Sequence, residues 1–107
     1  MIIATGEQIH GKKIVKTIGL VRGNTVRARH IGRDIGAAFR TLIGGEVVEY
    51  TKLIAESREQ AIDRMTAEAK GMGANAIIMT RFSTSSIMAG AAELLAYGTA
   101  VVVEDTE

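Results

Sequence analysis

Arg33, Asp34 and Arg40 are the charged side chains whose spacing best suits chemistry. Arg33 and Arg40 stand seven residues apart, two turns along one helix face, and paired guanidiniums can hold a carboxylate or phosphate bidentately. The competing role is structural: an ion pair with Glu46, Glu49 or the acidic helix that follows. With Glu46 and Tyr50 they make up the candidate ligand-binding set. His10 and His30 are the only histidines, and no third ligand stands at a helical offset from either, so no single element builds a metal centre. The chain has no Cys, which removes thiolate ligands, disulfides and a Cys nucleophile. A metal site assembled between copies stays open, suited to harder metals or weak binding. Gly6-Glu7-Gln8-Ile9-His10-Gly11-Lys12-Lys13 comes within one residue of a phosphate loop, but Lys13 stands where the Mg²⁺-binding hydroxyl is required and a strand-like run follows. No spacing pairs a nucleophile with a base, so the chain reads as non-enzymatic.

The elements that must position these residues follow from hydrophobic periodicity. Residues 1–4 read as a brief edge strand. Residues 12–29 are rich in β-branched side chains and read as strand, with Gly23-Asn24 marking a bulge in one bent strand or a turn between two short ones. Ile31, Ile35, Ala38, Phe39 and Leu42 predict a helix over 31–43, stopped by Gly44-Gly45. A second helix is predicted over 50–72, with Tyr50, Ile54, Ser57, Ala61, Met65, Ala69 and Met72 on one side and Gly73 at its end. Residues 76–82 and 94–104 read as strands, apolar on both parities. A half-exposed strand alternates, so a sheet of this kind needs cover on both faces, and self-association is the natural source of the second. Residues 83–93, small and at first polar, read as a connecting loop, or alternatively as a ligand-facing loop that offers hydroxyls and backbone N–H groups to an anion.

The 107 residues make a single domain, 1–107, with 47% hydrophobic and 23% charged residues and no Pro, which excludes disorder and low-complexity linkers. No basic segment followed by an apolar run opens the chain, so no secretory signal is expected. The longest charge-free stretches, 82–92 and 94–103, fall short of the ~20 residues of a spanning helix. A cytoplasmic protein without membrane contact is expected. The net charge of +1 conceals an asymmetry. Residues 1–45 hold eight basic side chains against two acids, a balance of +6, and residues 46–107 hold five against ten, a balance of −5. Mutual neutralisation, within one chain or between copies, accounts for this more simply than nucleic-acid binding does. Aromatic residues for base stacking are also scarce.

Arg33-Asp34, Arg40, Gly44-Gly45-Glu46, Tyr50, the helix over 61–69, Gly73-Ala74-Asn75-Ala76 and Gly98-Thr99-Ala100-Val101 together resemble the YbjQ-like family of prokaryotic proteins. The run Arg81-Phe82-Ser83-Thr84-Ser85 through Gly90-Ala91-Ala92-Glu93 is similar to one subgroup. The resemblance implies an α+β fold, two-layer, with helices packed on an antiparallel sheet like a dodecin subunit, assembling into a homopentameric ring. It also implies the heavy-metal-binding label that members often carry. Where other members have acidic residues, this chain has Met79-Thr80-Arg81-Phe82.

Three readings of function follow. The first is a non-enzymatic homo-oligomeric module that holds a small ligand or metal ion at subunit interfaces. The second is an anion- or nucleotide-binding ring using Arg33 and Arg40 with the 83–86 loop. A nucleic-acid-binding ring ranks last. Gly44, Gly45, Gly73 and Gly98 are read as structural, and Gly98 is expected where strands of adjacent protomers meet.

Overall fold

Val21, Gly23 and Thr25 are buried while Leu20, Arg22, Asn24 and Val26 between them are exposed, the period-two pattern of a strand covered on one face. The structure is a computed structural model that describes residues 1–28, 47–88 and 91–106, with side chains over 1–26, 52–86 and 91–106. Among the described residues the elements are β1 (Ile2–Ile3), β2 (Lys12–Ala28), α1 (Val47–Gly71), β3 (Ala76–Met88) and β4 (Ala91–Asp105). They form one four-stranded sheet in the order β1-β3-β4-β2. The fold is α+β, with one helix packed on the sheet. The helix expected over 31–43 lies outside the described residues.

The sheet is mixed rather than antiparallel. β4 runs antiparallel to β2 and to β3, but β1 pairs parallel to β3 through Ile2↔Ala76 and Ile3↔Ile77. Backbone bonds carry that pairing past the strand end, with Thr80 N–H donating to the Ala4 carbonyl and Met79 N–H to that of Gly6. A two-residue strand contains too little pattern for its direction to be read from sequence.

β2 is a single strand of 17 residues. At ~3.3 Å per residue it spans about 56 Å, which accounts for the 58 Å long axis of the chain. The Cα radius of gyration, 17.5 Å, exceeds the ~13 Å of a compact domain of this length. Its bulges fall between Ile14 and Lys16 and between Thr17 and Gly19, not at Gly23-Asn24. Gly23 has a different task. A Cβ there would lie 2.2 Å from the Ala61 carbonyl oxygen and 2.3 Å from the Met65 nitrogen. Only a residue without a side chain lets α1 come this close.

On α1, Ser57, Ala61, Met65 and Ala69 recur every four residues and are almost wholly buried. Ala61, Met65 and Ala69 pack with Val21, Ile77, Leu94, Ala96 and Ala100 from the sheet. Met72, predicted for the same stripe, is exposed because the helix has ended. Ala74 N–H donates to the Ala69 carbonyl and Gly73 N–H to that of Lys70, a Schellman closure, with Gly73 at φ +87° in the left-handed region. Ala69 and Ala74 both belong to the same apolar cluster, which seals the closure.

The segment 83–93 corrects the loop reading. β3 continues to Met88 and β4 begins at Ala91, with Ser83 paired to Leu95 and Ser85 to Glu93. Ser and Thr on a solvated strand face leave no apolar alternation, so the local pattern resembled a loop. Its described residues are held as paired strand and not as a loop. Gly98 lies in β4, against β3 of its own chain. A Cβ there would meet Ile77 Cγ2 at 2.7 Å and the Ile78 oxygen at 3.0 Å, so its small size serves β3 of its own chain.

Candidate functional site: the uncovered sheet face

α1 covers one face of the sheet. On the other, Ala76, Ile78, Val101 and Val103 form a second cluster, capped by Ile9 from the loop before β2. The Asn75 side chain pins this end: its Nδ2 donates to the Val103 oxygen at 2.9 Å, and Val103 N–H donates to its Oδ1 at 2.8 Å. Lys12 forms an ion pair with Asp105 nearby.

Above that cluster the face is open among the described residues. Register places Arg22, Tyr97 and Arg81 in one cross-strand row, since Tyr97 pairs with both arginines. Directly opposed residues have Cβ atoms about 4.5–5.5 Å apart, so the three side chains leave the sheet as neighbours on one face. Arg81 Nη1 donates to the Thr5 oxygen at 2.7 Å and to the Thr80 oxygen at 2.9 Å, which fixes that side chain against its own backbone. The next rows are Asn24–Leu95–Ser83 and Val26–Glu93–Ser85. Asn24 Nδ2 donates to Glu93 Oε2 at 3.2 Å across them. Leu20 and Val26, 62% and 55% exposed, are the apolar residues most open to solvent. Chemically, this face offers two arginines, one ring, hydroxyls and the Glu93 carboxylate. Arginine guanidiniums are groups that can pair with an anion.

Beside the open end of the face, Met79 takes φ +53°, unusual for a residue with a side chain, at the β3 bulge between Ile78 and Arg81. Thr80 follows with a buried hydroxyl that has no hydrogen-bond partner among the described residues.

Arg33, Asp34, Arg40 and Glu46 lie outside the described residues, as do His30, Gly44 and Gly45. Tyr50 lies in the first turn of α1 with its side chain outside them. The row Arg22–Tyr97–Arg81 escaped sequence reasoning because its members come from three strands, and only register unites them.

The donor chemistry of the described residues does not fit a heavy-metal centre. Among them no group of three His, Cys, Asp or Glu side chains comes together, and His10 is exposed. The whole chain lacks thiolate, the ligand that selects soft metals. No helix among the described residues is long and apolar enough to cross a membrane.

Fold and face thus define an α+β protein with one helix on a mixed sheet and a basic, aromatic open face. Residues 1–104 match the YbjQ family, described as "Putative heavy-metal-binding", and the chain belongs to that family. A UPF0145 protein of Clostridioides difficile is 56% identical over 98% of this chain and 94% of its own length. One of Dehalococcoides mccartyi is 58% identical over 97% of this chain and all of its own. An archaeal relative, a UPF0145 protein of Methanosarcina acetivorans, is 54% identical over 96% and 97%. A crystal structure of a protein of unknown function from the DUF74 family of Pediococcus pentosaceus superposes with a TM-score of 0.68 over 97% of this chain and 98% of that one. At 14% identity that likeness shows the fold alone.

Proposed function

We propose that the chain is a non-enzymatic, cytoplasmic, homo-oligomeric binding module that holds a small ligand at subunit interfaces, with five copies as the family resemblance implies. One observation carries this reading. Among the described residues, a sheet whose strands are apolar on both parities has a helix on one face only, leaving Leu20 and Val26 exposed on the other. Exposed apolar area of this kind is stabilised by a partner. The opposed charges of the two halves of the chain suit a second copy. Native mass spectrometry of untagged protein, purified without chelators, tests it: an oligomer is expected, and a monomer at micromolar concentration overturns it.

The row Arg22–Tyr97–Arg81 favours a second reading in which the ligand is an anion. Titration with inorganic phosphate against the native chain and Arg22→Ala tests this. Saturable binding that is lost in the variant while the oligomer persists supports it. Equal binding by both proteins overturns it. A metal ion is the poorer occupant, given the absence of thiolate.

A further inference from the structure

We infer that the turn ahead of β2 forms a separate binding site, a cavity that takes a small organic anion: a carboxylate on a short hydrocarbon chain, with Lys12 as its cation. The site lies within one chain and does not depend on the interface proposed above.

The segment that comes within one residue of a phosphate loop folds instead as a turn that leads into β2. Gly11 takes φ +81°, in the left-handed region, and Lys12 N–H donates to the Ile9 carbonyl at 3.0 Å. The residues after β4 tie the turn down, since Thr106 N–H donates to the Gly11 carbonyl at 3.1 Å. Beside this anchored turn is a cavity of about 320 Å³, lined by Gln8, Ile9, Lys12, Lys13 and Ile14. Ligand sites run from about 300 to 1,000 Å³, so this one is sized for a small molecule.

Register sorts the lining. Lys12 pairs with Asp105 and Ile14 with Val103, and Val103 belongs to the apolar cluster on the face away from α1. Directly paired residues take the same face, and neighbours along a strand take opposite ones. Lys12 and Ile14 therefore stand on the face where Ile9 packs against that cluster. Lys13 and its partner Glu104 leave the sheet on the other side, so Glu104 does not compete for a ligand beside Lys12. What remains is an aliphatic pair, Ile9 and Ile14, one amide, Gln8, and one ammonium group, Lys12.

That combination selects the ligand. A bare inorganic anion leaves the two isoleucines uncovered, and a neutral hydrocarbon makes no use of the ammonium. A phosphate monoester carries nearly two negative charges at neutral pH, more than one lysine balances. A carboxylate on a short chain brings one charge and an apolar body, which matches both parts of the lining. Asp105 holds that place on Lys12 in the free protein. Its side chain is 79% exposed, and exposed ion pairs are weak, so an incoming carboxylate can displace it.

Titration of the full-length chain with sodium hexanoate, followed by ¹⁵N–¹H spectra, tests the site. Saturable shifts are expected at the amides of Gln8, Ile9, Lys13 and Ile14. Lys12→Met keeps the aliphatic stem and should weaken binding at least about tenfold, the loss of a charge-assisted hydrogen bond. Asp105→Asn frees Lys12 and should tighten binding by up to about fivefold, the worth of an exposed ion pair. Inorganic phosphate should bind at least about tenfold more weakly than hexanoate. Absence of saturable shifts at residues 8–14, or undiminished binding by Lys12→Met, overturns the site. Phosphate binding as tight as hexanoate overturns the ligand class, and weaker hexanoate binding by Asp105→Asn overturns the competition. All of these readings hold whatever the oligomeric state, so they fail separately from the interface proposal.

Discussion

Replacing Gly23 by Ala tests the closest approach in the fold. The added methyl would sit 2.2 Å from the Ala61 oxygen, 2.3 Å from the Met65 nitrogen and 2.8 Å from Arg64 Cβ. Two of these are backbone atoms inside α1, so no rotamer change relieves them, and trimming Ala61 to Gly does not help. The helix must withdraw by about 1 Å along the row that buries Ala61, Met65 and Val21, loosening contacts that fall off steeply with distance. Overpacking typically costs 1–3 kcal/mol, and a clash with backbone belongs near the top of that range. At about 3 kcal/mol, a domain of this size loses roughly 10–20 °C in Tm. Gly71→Ala is the control. It lies in the last turn of α1, nothing stands within 4 Å of the new Cβ, and Ala there should gain about 0.5–1 kcal/mol. Urea and thermal unfolding followed by circular dichroism, at one fixed protomer concentration, give both values, since assembly makes stability concentration-dependent. A Gly23→Ala protein within 1 kcal/mol of the parent, or a Gly71→Ala protein that loses as much as Gly23→Ala, would refute the packing of α1 over Gly23.

Asn75→Ala removes both bonds to Val103 and should cost about 2 kcal/mol in urea unfolding, at ~1 kcal/mol per bond, with faster hydrogen exchange at the Val103 amide. An unchanged midpoint and exchange rate would show that the amide clamp is idle. Gly73→Ala places a Cβ in the left-handed region and should lose about 1–2 kcal/mol, while Gly73→Asn loses less; equal losses would remove the conformational argument. Thr80→Val substitutes a methyl for the unpartnered buried hydroxyl and should raise stability by about 1 kcal/mol, so a fall in Tm would mean that the hydroxyl has a partner. Finally, treatment with a chelator should leave both Tm and native mass unchanged, and elemental analysis that finds a stoichiometric soft metal would overturn the donor-set argument.

Local pattern alone determined much of this protein. The helical stripe Ser57, Ala61, Met65 and Ala69 recurs every four residues, and Gly73 marks its end, so α1 and its stop are written in consecutive side chains. The two-sided apolar character of the strands could likewise be read directly, and the ordered blocks from Gly73-Ala74-Asn75-Ala76 to Gly98-Thr99-Ala100-Val101 identified the family. Other features depend on partners distant in the chain. Gly23 resembled a bulge because its neighbour 38 residues away, Ala61, is invisible to local pattern. The serine-rich stretch after Phe82 resembled a loop because strand pairing, not side-chain hydrophobicity, holds it extended. The parallel direction of β1 and the row of Arg22, Tyr97 and Arg81 depend on register, which periodicity cannot specify. A period of two says which face a residue takes. Only the folded sheet says which residue on the next strand stands beside it.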